Sequence, residues 1–121
     1  MIQEDKELLL KDLSARLSYG VICEIDLKPY KLKGINKHKK LWWFEFDGFR
    51  CLDGVKPYLR PMSSITEEEK LMYEGLMIGA DNVSYMLDVI EWLNANHFDY
   101  HGLIEEGLAI AVTKENNPYK E

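Results

Sequence analysis

The sequence predicts an α+β domain, and three observations predict it. A leucine pattern of helical period opens the chain, a run of short alternating segments follows, and two further helical patterns fill the second half. The expected architecture is a single domain over 1–121. A small antiparallel sheet from residues 20–53 packs with three helices over residues 4–18, 66–77 and 82–95. Residues 108–112 are a last strand or a docked extended segment, and residues 114–121 a loose polar tail.

Each element has its local reason. Leu9, Leu10, Leu13 and Leu17 recur at helical spacing behind Glu4, Asp5 and Glu7, which the helix dipole favours in a first turn. Gly20 is placed to cap that helix in a left-handed conformation. Val21, Cys23, Ile25 and Leu27 then alternate with Glu24 and Asp26, the period of a half-buried strand. Lys28-Pro29 breaks the strand, and Tyr30, Leu32 and Gly34 alternate with Lys31 and Lys33 in a second. In LWWFEFDGFRCLD, Asp47-Gly48 suits a two-residue type I′ hairpin. That turn would set Phe46 against Phe49, Glu45 against Arg50, Phe44 against Cys51 and Trp43 against Leu52. Trp42, Phe44, Phe46, Phe49 and Cys51 would share the core face, with Trp43 and Leu52 on the outer one.

Pro57 and Pro61 hold residues 55–64 extended. Ser64-x-x-Glu67 and Thr66-x-x-Glu69 both match a capping box, so the second helix has a firm start in either of two registers. In the third helix Val83, Met86, Leu87, Ile90 and Leu93 form an apolar stripe expected to face the core.

Composition narrows the function. The chain has 121 residues, 46% hydrophobic and 30% charged, ordinary for a globular domain. No apolar run is long enough for a membrane helix, and the acidic start lacks the features of a secretory signal, so a cytoplasmic protein with no membrane role is expected. Cys23 and Cys51 stand in no metal-ligand pattern and read as free, buried thiols. The net charge of −6 conceals a polarity. Residues 1–60 carry 12 basic and 9 acidic side chains, whereas residues 61–121 carry 3 and 12. Such polarity marks a binding face or two surfaces that attract each other.

Two clusters are candidates for chemistry. In NHFDYHGLIEEG, His97, Asp99 and His101 have the composition of a metal site. The geometry works against it, because a helix aligns only the two histidines and a strand is opposed by the preceding helix and by Gly102. A structural reading accounts for more: Asn94 and Asn96 end the third helix, Asp99 caps a short turn over 100–106, and Gly107 closes it. Phe98, Leu103 and Ile104 would then bury against the third helix. The second cluster is the basic region 28–40. Here Lys28, Lys31, Lys33, Lys37, Lys39 and Lys40 lie near Tyr30, Trp42 and Trp43, the mix of cations and rings that single-stranded nucleic acid binds. The plainer reading is a solvated hairpin edge whose lysines deter strand addition. No nucleophile elbow or glycine-rich phosphate loop occurs.

Residues 56–69, KPYLRPMSSITEEE, and residues 91–110, EWLNANHFDYHGLIEEGLAI, resemble the signature of a family of small proteins from gut anaerobic bacteria and their phages and mobile elements. The opening ELLLKDLSARLSYGV is similar in style, and residues 24–52 resemble it least. The resemblance implies a cytosolic protein of bacterial or phage origin. The family has no established activity, and the resemblance carries over no catalytic residue and no cofactor. The reading that results is a non-catalytic interaction or accessory protein with an unidentified protein partner or a second copy of itself. Lys37, Lys39, Lys40, Trp43 and Leu52 are its candidate contacts. A nucleic-acid-binding regulator using residues 28–40 is the alternative, and a metal-dependent enzyme using His97 and His101 the second.

Overall fold

A computed structural model of the chain describes residues 2–36, 41–44, 48–51, 55–78 and 83–119, with the backbone alone for residues 36, 41–44, 48–51 and 83–85. The element order is α1 (Gln3–Arg16), β1 (Ile22–Ile25), β2 (Lys28–Asn36), β3 (Leu41–Phe44), β4 (Gly48–Cys51), β5 (Lys56–Leu59), α2 (Glu67–Met77), α3 (Val83–Ala95) and β6 (Ile110–Ala111). These form the expected α+β fold. A 3-10 turn, Leu17–Tyr19, extends α1 to Gly20, whose φ of 71° makes it the left-handed cap.

The strands form one sheet in the order β4-β3-β2-β1-β5-β6. It is larger than the segment 20–53 and is not purely antiparallel. The proline-bounded stretch expected to be merely extended enters it as β5, and β6 pairs with β5 in parallel. Pro57 is tolerated because the β1/β5 ladder is short, pairing Cys23 with Pro57 and Glu24 with Lys56.

The hairpins invert the expected turn chemistry. Asp26 and Leu27, with φ of 52° and 68°, form the two-residue turn between Ile25 and its partner Lys28. Positive φ at both central positions is the type I′ requirement. Leu27 therefore leaves the strand and is exposed instead of joining Val21, Cys23 and Ile25 inside. At the second hairpin Phe44 pairs with Gly48 rather than Cys51, and Trp43 with Phe49 rather than Leu52. Three residues separate the last pair, so the connection is longer than the two-residue turn expected at Asp47-Gly48, and the predicted facing pairs do not form. Arg50 faces Trp42 and not Glu45; residues 45–47 and Leu52 lie outside the described residues.

The core is divided. One cluster joins Leu9 and Leu13 of α1 to Val21, Cys23, Ile25, Leu32, Val55 and Leu59 of the sheet, closed by Leu103, Leu108 and Ala109. A second joins Val89 and Leu93 of α3 to Phe98, with Met62, Ile65, Tyr73, Leu76 and Trp92 around them. Of the turn residues expected against α3, Phe98 packs there, whereas Leu103 and Ile104 pack with the sheet cluster.

The stripe expected to bury α3 does so only in part. Leu93 is buried as expected, Met86, Leu87 and Ile90 are exposed, and the helix is rotated so that Val89, outside the stripe, is buried as well. The aromatic series Tyr73–Trp92–Phe98, with ring centroids 5.9 and 5.6 Å apart, accounts for the rotation, since it places Trp92 between α2 and Phe98. At the start of α2, Thr66 supplies the cap and Ser64 does not: its Oγ1 accepts from Glu69 N, and Glu69 Oε1 accepts from Thr66 N.

Candidate functional site

The segment that carries His97, Asp99 and His101 lies where α3 ends, and each residue has a different task. α3 closes in a Schellman arrangement, with Phe98 N donating to the Leu93 carbonyl and His97 N to the Asn94 carbonyl. His97 takes the left-handed position usually given to glycine, with φ of 61°. Its ring stacks on Tyr119 at 3.7 Å. Burial, and then the charges of Arg16 and Arg60, pull its pKa down to about 4, so the ring is neutral at pH 7.

Asp99 is a cap, as the sequence suggests, though for a slightly later turn. Its two carboxylate oxygens accept from Leu103 N at 2.9 Å and Ile104 N at 3.0 Å. His101 points elsewhere again, its Nδ1 lying 2.6 Å from Oδ1 of Asp12 on α1. The three side chains therefore do not converge. Among the described residues no three histidine, cysteine or acidic groups are arranged to hold a metal ion.

What the structure does bring together is a buried ionic network. Arg16 and Asp12 are fully buried on the inner face of α1. Arg16 donates from Nε to Asp12 Oδ2 at 2.7 Å. Its Nη2 donates to Asp12 Oδ1 at 3.1 Å and to the Phe98 carbonyl at 2.6 Å. The guanidinium also lies 5.1 Å from the centre of the Tyr100 ring, and Tyr100 donates to Asn94 Oδ1. This network ties α1 to the end of α3 across 82 residues of sequence. Asp12 holds the His101 ring by its Nδ1 edge. Among the described residues no hydroxyl or thiol is hydrogen-bonded to that ring. An Asp–His pair without a nucleophile is a structural clamp that holds a turn to a helix.

Only the histidine half of this network is visible as a motif. The signal for the other half is the Asp12–Arg16 spacing of four, which on an exposed helix face reads as a surface pair. The 114–121 segment also holds more than a loose tail. Residues 113–117 are exposed, but the Tyr119 hydroxyl donates to the Tyr58 carbonyl at 2.7 Å and accepts from Ile22 N at 3.0 Å. The two cysteines differ in what the structure describes. Cys23 is a free, buried thiol held far from the reactive range by burial and by the Asp12 charge, and the Cys51 side chain is not among those described.

The candidate contacts Lys37, Lys39, Lys40 and Leu52 lie outside the described residues, as does the side chain of Trp43. A different surface is unmistakably apolar. α2 contains no buried residue, although it carries Leu71, Met72, Tyr73, Leu76 and Met77, and Ile78 follows it. Leu71 is 72% exposed, Met72 57% and Ile78 86%. Beside it α3 exposes Met86, Leu87 and Ile90. Beside the two helices lies a groove of about 320 Å³, lined by Met72 and Leu76 of α2, by Asp88, Glu91, Trp92 and Ala95 of α3, and by Tyr19 of the turn after α1.

Among the described residues no helix is long and apolar enough to cross a membrane. Compared with known protein families, curated proteins and solved structures, the chain matches none.

Proposed function

We propose that the protein is a non-catalytic interaction module whose working surface is the α2–α3 hairpin. The observation that carries the reading is that α2, five of whose 11 residues are large and apolar, fully buries none of them. A helix apolar on more than one side is stable in water only when something covers it, and contiguous exposed apolar surface of this kind marks a binding site. The ionic network supports the reading from the other direction, because its hydrogen bonds serve as ties between elements, although the buried Arg16 Nη1 has no hydrogen-bond partner among the described residues. An intracellular setting and a bacterial or phage origin rest on the composition and on the resemblance of residues 56–69 and 91–110.

Affinity capture from native lysate tests it, using the protein and a variant carrying Leu71→Gln, Ile78→Gln and Leu87→Gln. The expected result is a partner retained through nuclease and high salt and lost with the variant. Equal capture by both proteins would contradict the assignment of the surface. One observation favours a second reading, a nucleic-acid-binding regulator: Lys28, Lys31 and Lys33 are exposed along β2. Under that reading captured material is nucleic acid, and its retention falls steeply with salt.

A further inference from the structure

The hairpin's charge identifies the class of partner, and this inference rests on the interaction reading above. α2 and α3 together carry Glu67, Glu68, Glu69, Glu74, Asp88 and Glu91 against Lys70 alone. Glu69 is taken up by Arg60, with contacts of 2.6 and 2.7 Å. The remaining acids are exposed. They are also placed to matter: Asp88 and Glu91 line the groove, and Glu68 lies one helical turn before Met72 on the same side of α2. Among the described residues no lysine or arginine lines the groove. Its apolar part is formed by Met72, Leu76, Trp92 and Ala95 with the Tyr19 ring, a methionine, a leucine and aromatic rings rather than a rigid β-branched set. Of the five methionines in the chain, four fall at positions 62, 72, 77 and 86, and the last three are exposed. Unbranched thioether side chains repack around differently shaped apolar partners, which is why methionine-rich surfaces accept helices of varied sequence.

We infer that the α2–α3 groove binds a basic amphipathic helix of a partner protein, its apolar face on Met72, Leu76 and Trp92 and its lysines or arginines against Glu68, Asp88 and Glu91. An apolar floor between acidic rims is complementary to a helix with an apolar stripe flanked by cations. The length fits as well, since the 11 residues of α2 make a helix about 16 Å long, enough to run beside about three turns of a partner helix. A second copy of this chain is a poorer occupant. Docking hairpin on hairpin would set one group of carboxylates against another, and like charges facing each other across an interface disfavour that pairing.

The test uses three dye-labelled synthetic peptides of about 15 residues, read by fluorescence anisotropy against the full chain. One is an amphipathic leucine–lysine helix, the second its scrambled isomer without an apolar face, and the third a leucine–glutamate amphipathic helix. The leucine–lysine peptide is expected to bind at least about tenfold more tightly than either control, a difference of about 1.4 kcal/mol. Combined Asp88→Lys and Glu91→Lys should weaken it by about tenfold or more, and Met72→Gln should weaken it too, with circular dichroism and thermal midpoint unchanged. Equal binding of the scrambled isomer, or binding indifferent to these substitutions, would overturn the inference. Sedimentation equilibrium separates its failure from that of the broader reading. A dimer broken by Leu71→Gln and Ile78→Gln, or preferential binding of the leucine–glutamate peptide, would leave an interaction surface with a different occupant. A monomer that binds no peptide, with those two substitutions destabilising the fold, would remove both.

Discussion

α1 and α2 make opposite use of their sequences. α1 carries seven charged residues among 14 and still buries four positions, two of them the charged Asp12 and Arg16. α2 carries the denser apolar set and buries none. The difference lies in what each helix faces. α1 lies on the sheet, so its inner face is dehydrated whatever occupies it, and an aspartate and an arginine persist there because they neutralise each other and the arginine also donates to the Phe98 carbonyl. α2 packs on the second cluster through Tyr73 and Leu76, both only partly buried, and among the described residues nothing buries its other apolar side chains. Helix hydrophobicity thus does not by itself decide burial; position against the sheet does.

The sharpest way to break this contrast is to remove one partner of the α1 pair. Asp12→Ala leaves Arg16 buried without its carboxylate and frees His101, and should cost about 3–5 kcal/mol in urea-induced unfolding. A loss below 1 kcal/mol would mean that water reaches Arg16. Tyr119→Phe comes next. It deletes a hydroxyl that bridges Ile22 N and the Tyr58 carbonyl without changing shape, and should cost about 1–2 kcal/mol. The same loss on truncating the chain before Tyr119 would place the whole contribution of the tail in that residue.

Acid should act on both halves of the molecule. His97 has a folded pKa of about 4, below the ordinary 6.5. The unfolded chain therefore takes up its proton first, so stability complete above pH 6.5 declines as the pH falls toward 4. Glu69, held down to about 2 chiefly by its hydrogen bonds from Arg60, stabilises the fold above pH 4.5, and that contribution is lost between 4.5 and 2. Unfolding followed against pH should show the first decline vanish in His97→Asn and the second in Glu69→Gln. A smaller effect of opposite sign is expected on α2. Gly75 has open space where a Cβ would sit, so Gly75→Ala should raise the thermal midpoint by an amount equivalent to about 0.5–1 kcal/mol.

Much of the fold was legible in local pattern. Alternation placed β1 and β2, the Thr66–Glu69 box placed the start of α2, and Asp99 was visible as a cap. Tertiary packing decided the rest. Leu27 is a poor residue for a type I′ turn, yet the β1/β2 pairing leaves it no other conformation. Met86, Leu87 and Ile90 share an apolar stripe with Leu93, yet only Leu93 is buried, and the aromatic series on Trp92 brings Val89 inside in their place. The candidate site divided in the same way. His101 was singled out, but its partner Asp12 lies 89 residues earlier, at a spacing no local motif records. The α2–α3 surface was hidden because exposed and buried apolar residues read alike in sequence.

The most direct test of the account is urea unfolding of the protein carrying Leu71→Gln, Met72→Gln and Ile78→Gln together. If these side chains form a working surface and not a part of the core, stability should stay within about 0.5 kcal/mol of the parent, the range of ordinary surface substitutions. A loss of about 3 kcal/mol or more, the range of core truncations, would show that they belong to the fold and would contradict the account.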